Sequence, residues 1–299
     1  MLPRVNMGRV RNRGYELVLS YQKQINRDLL LMCSFNYNFA RNKVIAADEV
    51  RRPTGPNQYL SEYVVTGHPI GTEWVLKVDY EDGAGNGYIN TPEDLEKYSH
   101  MYSGYARAFL GQWKFQDLNG DGKINDKDKV PCRYSATVPE ITYGLNFSMK
   151  WKNFDFSMLW QGVAHREGVA FVGMFGKGYV TGEWELNAWT KERFENNQPI
   201  TYQALNMGTL ADAQNLNERS DYVVSDRSFI RLKNLELGYS LPKKWVKKMG
   251  LGDVRFAIIG QNLWNTSNLK AKEAMDPEQD NENQYPLTRN ISFSISLKL

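Results

Sequence analysis

The chain has 299 residues, of which 41% are hydrophobic and 13% aromatic, and its formal net charge is +3 at pH 7. This charge is too small to favour nucleic-acid binding, and no stretch of about 20 apolar residues predicts a transmembrane helix. The two cysteines, Cys33 and Cys132, form no metal or redox motif. The composition therefore allows one large β domain or two smaller ones.

Seven segments alternate apolar and polar residues, which predicts strands with one apolar and one polar face. In chain order they cover 14–22, 29–40, 140–151, 154–161, 234–241, 253–261 and 290–299. The last segment alternates without exception, and its apolar side includes Ile291, Phe293 and Ile295. Strict alternation over about ten residues, opposite small polar side chains, is typical of a transmembrane β-barrel strand.

The connections between these segments alternate between short and long. Short turns are predicted near 23–28, 152–153 and 242–252, and the long connections are 41–139, 164–227 and 264–289. Loops of this length argue against a compact soluble domain. Outer-membrane barrels, however, combine short periplasmic turns with long extracellular loops. The pattern therefore predicts that the three long connections are extracellular.

The predicted sheet has an odd number of strands and so should not close by itself. Two open edges in lipid would leave backbone groups unpaired at a cost of several kcal/mol each. We therefore predict an all-β, antiparallel transmembrane barrel segment of about seven to nine strands within a larger barrel. A soluble β-sandwich with one solvated face is the alternative.

A calcium-binding pattern lies within the first long connection. The candidate ligands are Asp117, Asn119, Asp121, the backbone carbonyl of Lys123, and Asp128. Gly122 stands where such a loop turns sharply, but Asp128 is shorter than the usual glutamate. We expect a structural Ca²⁺ at this loop, and the alternative is an Asp/Asn/Gly-rich turn without metal.

Catalytic patterns are absent from the sequence. His68, His100 and His165 are scattered, and no nucleophile or phosphate-binding motif appears, so we predict no enzymatic activity. The aromatic residues of 171–194 could stack on sugars, pack on a partner or hold their own loop together. These aromatic residues are Phe171, Phe175, Tyr179, Trp184, Trp189 and Phe194.

Several motifs resemble the C-terminal part of SusC/RagA-family TonB-dependent outer-membrane transporters. The most specific are Ser228–Leu235, Leu237–Pro242 and Gly260–Leu263. Further similar segments are Val10–Leu17, Gly67–Gly71, Asp117–Ile124, Tyr143–Phe147, Phe154–Met158, Asp276–Glu278 and Tyr285–Pro286. The chain departs from the family pattern at Thr72–Leu76 and at Leu299, where an aromatic residue is usual.

The resemblance implies that residues 1–299 form the last third of a 22-stranded barrel in the outer membrane. It implies import of oligosaccharides or peptides, a SusD-like surface lipoprotein as partner, and TonB contact through a plug region. Nothing in the chain resembles that plug, the TonB box or a signal peptide. We therefore expect a truncated or split piece, incapable of transport alone. Alternatives are a calcium-dependent surface binding or adhesion module and an outer-membrane enzyme with its site on the loops.

Overall fold

The computed structural model describes residues 8–47, 66–102, 108–169, 186–205, 220–269, 276–279, 285 and 287–298. The described strands are β1 (Arg9–Gln24), β2 (Leu29–Ala46), β3 (Trp74–Val75), β4 (Val130–Pro131), β5 (Ile141–Trp151), β6 (Phe154–Ala164), β7 (Glu167–Val169), β8 (Val224–Asp226), β9 (Phe229–Ser240), β10 (Asp253–Ser267) and β11 (Asn290–Lys298). The described helices are α1 (Pro92–Met101), α2 (Lys191–Glu195) and α3 (Lys243–Lys248), with a 3-10 turn at Asp126–Asp128. None of these helices is long and apolar enough to cross a membrane.

Seven strands form one antiparallel sheet in the order β1-β2-β5-β6-β9-β10-β11. The short turns lie together at one end of the strands. At this end Trp151 pairs with Leu29 and with Phe154, and Phe154 pairs with Tyr239. The predicted antiparallel sheet of about seven strands is confirmed. It is open, with β1 at one edge and β11 at the other.

Several strands extend beyond their predicted bounds. β2 continues to Ala46 and β10 to Ser267, so the predicted connections 41–139 and 264–289 begin too early. The polar end of β2 remains in the strand because its backbone continues the antiparallel ladder with β1, in which Lys43 lies opposite Arg11. β9 begins at Phe229, five residues before the predicted start. The prediction began too late because an irregularity in the pairing of β9 with β6 shifts the apolar alternation along β9.

One face of the sheet is apolar across the strands. The register places in one row Leu31, Met149, Phe156, Leu237, Ile258 and Phe293, from β2 to β11. On β1, Leu19 extends this face by pairing with Phe35. Many of these side chains are exposed, with Phe293 at 79% and Leu19 at 57%. The opposite face is mainly polar, with paired residues such as Ser34 and Asn146.

A hydrophobic core lies in the long connections and not between layers of the sheet. This loop core consists of Leu76, Val78, Tyr88, Ile89, Tyr98, Tyr102, Trp113, Phe115, Ile124 and Trp189. Two small sheets, β3-β4 and β7-β8, accompany it. α1 joins the loop core through Tyr98, and its first turn is capped by Thr91, whose Oγ1 accepts from the Asp94 N–H at 3.2 Å. The described parts of the first two long connections therefore pack into a core of their own.

Candidate functional site

The predicted calcium loop is closed by hydrogen bonds from its own backbone. Asp117 Oδ1 accepts from the Gly120 N–H at 2.8 Å, and Asp117 Oδ2 accepts from the Gly122 N–H at 2.7 Å. Asn119 Oδ1 accepts from the Asp121 N–H at 2.8 Å. Both glycines have positive φ, +71° and +75°, a region that residues with a Cβ rarely adopt. The Asp-x-Asn-Gly-Asp-Gly sequence thus specifies a tight turn.

Asp128 is fully buried and caps this turn. Its Oδ1 accepts from the N–H groups of Leu118 at 3.1 Å and Asn119 at 3.3 Å. Its Oδ2 accepts from the Asn125 N–H at 2.9 Å, which completes a capping box with the Asn125 side chain. Burial raises the pKa of Asp128. A carboxylate offers about four acceptor sites, so bidentate coordination of calcium would break some of these bonds.

Asp121 and Lys123 complete the predicted ligand set. Asp121 Oδ1 accepts from the Lys123 N–H at 3.0 Å, and Asp121 Oδ2 lies 3.8 Å from Lys127 Nζ. Among the described residues, no group of three or more His, Cys, Asp or Glu side chains could hold a metal ion. The internal hydrogen bonds account for the shape of the loop without a cation. Calcium binding at this loop stays a prediction.

An ionic cluster closes one side of the loop core. The buried Lys114 Nζ lies 3.0 Å from Asp94 Oδ1 and 3.6 Å from Asp82 Oδ2, and 5.7 Å from the centre of the Tyr98 ring. Burial opposes ionisation of Asp82, but the hydrogen bond and charge of Lys97, together with Lys114, hold the pKa of Asp82 below its usual value. The cluster ties α1 to the chain on both sides of it.

The polar face of the sheet carries an arginine held by two carboxylates. Arg255 on β10 contacts Asp155 on β6, with Nε 3.1 Å from Oδ1, and its Nη2 lies 2.5 Å from Glu236 Oε1 on β9. Gly238 lies on β9 opposite Asp155, and a Cβ there would overlap the Arg255 guanidinium and the Asp155 carboxylate. The ion pairs thus join three neighbouring strands.

A second cluster holds residues 276–279, in the connection between β10 and β11, against this polar face. Arg231 on β9 is 1% exposed, and its Nη2 lies 2.6 and 2.7 Å from the two carboxylate oxygens of Asp276. Its Nε lies 3.3 Å from Glu278 Oε2. Arg166 Nη1 donates to the Pro277 carbonyl at 3.3 Å. Residues 276–279 therefore lie against the sheet at the end opposite the short turns.

Sequence reasoning did not single out these ionic clusters as site residues. Arg231 and Asp276 fall within two of the family-like segments, and this position was the available signal in the sequence for their importance.

A third cluster joins Glu140 to Arg41 and to His165. Arg41 Nε lies 2.6 Å from Glu140 Oε1, and His165 Nδ1 lies 3.1 Å from Glu140 Oε2. These side chains are polar groups that a membrane-spanning sheet would turn toward its interior.

The aromatic segment 171–194 is described only in part. Phe171, Phe175, Tyr179 and Trp184 lie outside the described residues. Trp189 is buried in the loop core, where its Nε1 donates to Asn90 Oδ1 at 2.9 Å, and Phe194 packs against the same core. For these two side chains, the interpretation that the aromatics hold the loop together is confirmed.

The curated relatives that match the chain are receptors. TonB-dependent receptor P3 of Formosa agariphila is 24% identical over 315 residues, which cover 98% of this chain and 29% of the relative. TonB-dependent receptor SusC of Bacteroides thetaiotaomicron is 25% identical over 307 residues, which cover 98% of this chain and 27% of the relative. The chain thus spans under a third of their length. No protein-family model matches it.

Solved structures show the same fold. A chain of the RagAB peptide transporter matches with a TM-score of 0.67 and 19% identity, over 98% of this chain and 29% of that one. The RagAB peptide importer in its closed-closed state matches with a TM-score of 0.65 and 19% identity, over 98% of this chain and 30% of that one. The open two-faced sheet and these matches agree that the chain is similar to part of the SusC/RagA-type TonB-dependent receptors and shares the fold of that part.

Proposed function

We propose that the chain forms part of an outer-membrane importer that takes up oligosaccharides or peptides with energy supplied through TonB. One observation carries the proposal: an apolar face runs across all seven strands of the sheet and is widely exposed. In water, such a face needs a second layer to cover it. In a bilayer, acyl chains cover it, and the polar face lines the barrel interior.

The open edges support a role within a larger barrel. β1 is exposed along its whole length, and β11 forms the other edge. Lipid cannot satisfy unpaired backbone groups, so insertion requires further strands. We use the term assembled receptor for this chain together with the plug region and the further strands that pair with β1 and β11. The chain alone does not transport under this proposal.

The partners follow from the same comparison. The similarity to SusC and to the RagAB peptide transporter supports a SusD-like surface lipoprotein as partner, seated on the long extracellular connections that follow β2, β6 and β10. TonB acts through the plug region of the assembled receptor. The transported substrate undergoes no covalent change in this account.

The alternative of a calcium-dependent adhesion module requires an exposed aromatic platform beside the predicted calcium loop. The described aromatics just before that loop, Trp113 and Phe115, are 2% and 0% exposed. They are packed inside the loop core and present no surface for a ligand. The transporter proposal is therefore the better supported of the two.

The test is uptake by intact cells. Cells producing the assembled receptor are given fluorescent oligosaccharides and fluorescent peptides, and accumulation is compared with cells lacking TonB and with cells producing this chain alone. We expect uptake of one substrate class with the assembled receptor, and none in the two other cases. Equal uptake without TonB, or by the chain alone, would contradict the proposal.

A further inference from the structure

The connection between β9 and β10 carries a basic and aromatic surface that transport does not explain. Pro242–Gly252 contains no acidic residue. The exposed residues of α3 and its end are Lys243, Lys244, Trp245, Lys247, Lys248 and Met249, with Trp245 exposed to 57%. Only Val246 of this helix is buried. Within the described part of the chain, no carboxylate lies within 4 Å of any of the four lysines.

α3 lies in the turn between β9 and β10, at the end of the strands where the short turns and the end of the apolar face lie. Tyr239, four residues before the helix, pairs with Phe154 on one side and Phe256 on the other. The ring centres of Phe154 and Tyr239 are 4.7 Å apart, and Trp151 stacks on Phe154 at 6.2 Å. Aromatic residues at the end of an apolar band are typical of the membrane–water interface.

An apolar groove opens on the same face beside this aromatic row. Its volume is about 400 Å³, within the range of about 300–1,000 Å³ typical of small-molecule sites. The apolar side chains that line it include Phe154, Leu237, Tyr239, Phe256, Phe293 and Ile295. Two of these residues, Leu237 and Tyr239, lie on β9, the strand that leads into α3.

We propose that this end of the sheet binds an anionic phospholipid. The lysines of α3 contact the phosphate headgroup, Trp245 lies at the interface, and an acyl chain occupies the apolar groove. The inference rests on the proposed function, because the apolar face meets lipid only if the sheet spans a membrane. The combination of unpaired cations with an adjacent apolar groove matches a ligand that has an anionic head and an apolar tail.

Charge decides the class of lipid. A lysine near an anionic surface strengthens attraction about fivefold, and this effect falls off within a Debye length of about 8–10 Å. Four exposed lysines without nearby carboxylates therefore favour an anionic headgroup over a zwitterionic one. The preference should weaken in high salt, because exposed charges are screened.

The experiment reconstitutes the assembled receptor into vesicles of phosphatidylcholine with a trace of spin-labelled phosphatidylglycerol or spin-labelled phosphatidylcholine. The fraction of motionally restricted label gives the relative affinity for each lipid. The test variant replaces the four lysines by glutamine (Lys243→Gln, Lys244→Gln, Lys247→Gln, Lys248→Gln). A matched control variant makes the same change at four exposed lysines in or beside the long connections: Lys43→Gln, Lys77→Gln, Lys123→Gln, Lys191→Gln.

We expect the unmodified protein and the control variant to prefer phosphatidylglycerol about fivefold or more, and the test variant to lose most of that preference. Insertion of all three proteins into pure phosphatidylcholine, measured by resistance to alkaline extraction, shows that the sheet itself spans the bilayer. Insertion without a phosphatidylglycerol preference, or with a preference that survives in the test variant, would overturn this inference alone. Failure of the unmodified protein to insert would overturn the proposed function and this inference with it.

Discussion

Replacing Trp113 by alanine should open the loop core and leave the sheet intact. The side chain is 2% exposed, and the centre of its ring lies 4.2 Å from that of Tyr88 and 4.1 Å from that of Tyr222. Truncation of a buried tryptophan to alanine costs about 3–5 kcal/mol. Because the loop core is separate from the sheet, this loss should appear as local opening and not as global unfolding.

Hydrogen exchange on the assembled receptor measures this opening segment by segment. A loss of 3 kcal/mol corresponds to a factor of about 160, so amides of 76–89 and 108–124 should exchange about 100-fold faster or more. Amides of β5 and β6 should be unaffected. Ile70→Ala, at a side chain 49% exposed in the same connection, is the control. Unchanged exchange in the loop core, or equal acceleration in β5 and β6, would refute an independent core.

Four further predictions concern other parts of the chain. Calorimetry on the assembled receptor should show calcium binding that Asp121→Ala weakens more than Asn119→Ala, because it removes a charged ligand; no calcium-dependent heat would leave only an acidic turn. Asp276→Ala should lower the thermal midpoint, at a cost of up to about 3–5 kcal/mol, because it removes the closest partner of the buried Arg231; an unchanged midpoint would contradict this. The pKa of Asp82 is lower in the folded state, so its contribution is present above the unfolded value of about 3.9 and is lost as pH falls further. Limited proteolysis should therefore cut the loop core faster below about pH 4 in the unmodified protein, whereas Asp82→Asn should show no such increase. An equal increase in both proteins would contradict the role of the Asp82 carboxylate. Finally, the chain alone should aggregate in detergent because both sheet edges are unpaired, whereas a monodisperse, heat-resistant monomer would argue against open edges.

The two-faced strands of the sheet were predictable because their signal is local. Alternation from Ile291 to Leu297 reports the two faces of β11 without any knowledge of its neighbours. The polar ends of strands were not predictable in this way, since Lys43 is part of β2 through the backbone ladder with β1, where it lies opposite Arg11. The early start of β9 was hidden because its pairing irregularity moves Leu232 out of the period of Leu235 and Leu237.

The ionic clusters and the loop core depend on long-range contacts and could not be predicted from spacing. Arg231 and Asp276 are 45 residues apart, and their contact requires a connection that returns to the polar face. Trp113 meets Tyr222 only because separate long connections pack together. The pattern around Asp128 fits both a calcium ligand and a cap, since both uses require carboxylate oxygens that face the turn.

The most direct test of the central claim is the orientation of β11 in a bilayer. Spin labels placed one at a time at residues 292, 293, 294 and 295 of the reconstituted assembled receptor report access to oxygen, which concentrates in lipid, and to a water-soluble nickel chelate. We predict high oxygen access at Phe293 and Ile295, which are 79% and 65% exposed on the apolar face, and low access at Ser292 and Ser294. Access without a period of two residues, or with the lipid-facing positions reversed, would contradict a membrane-spanning sheet.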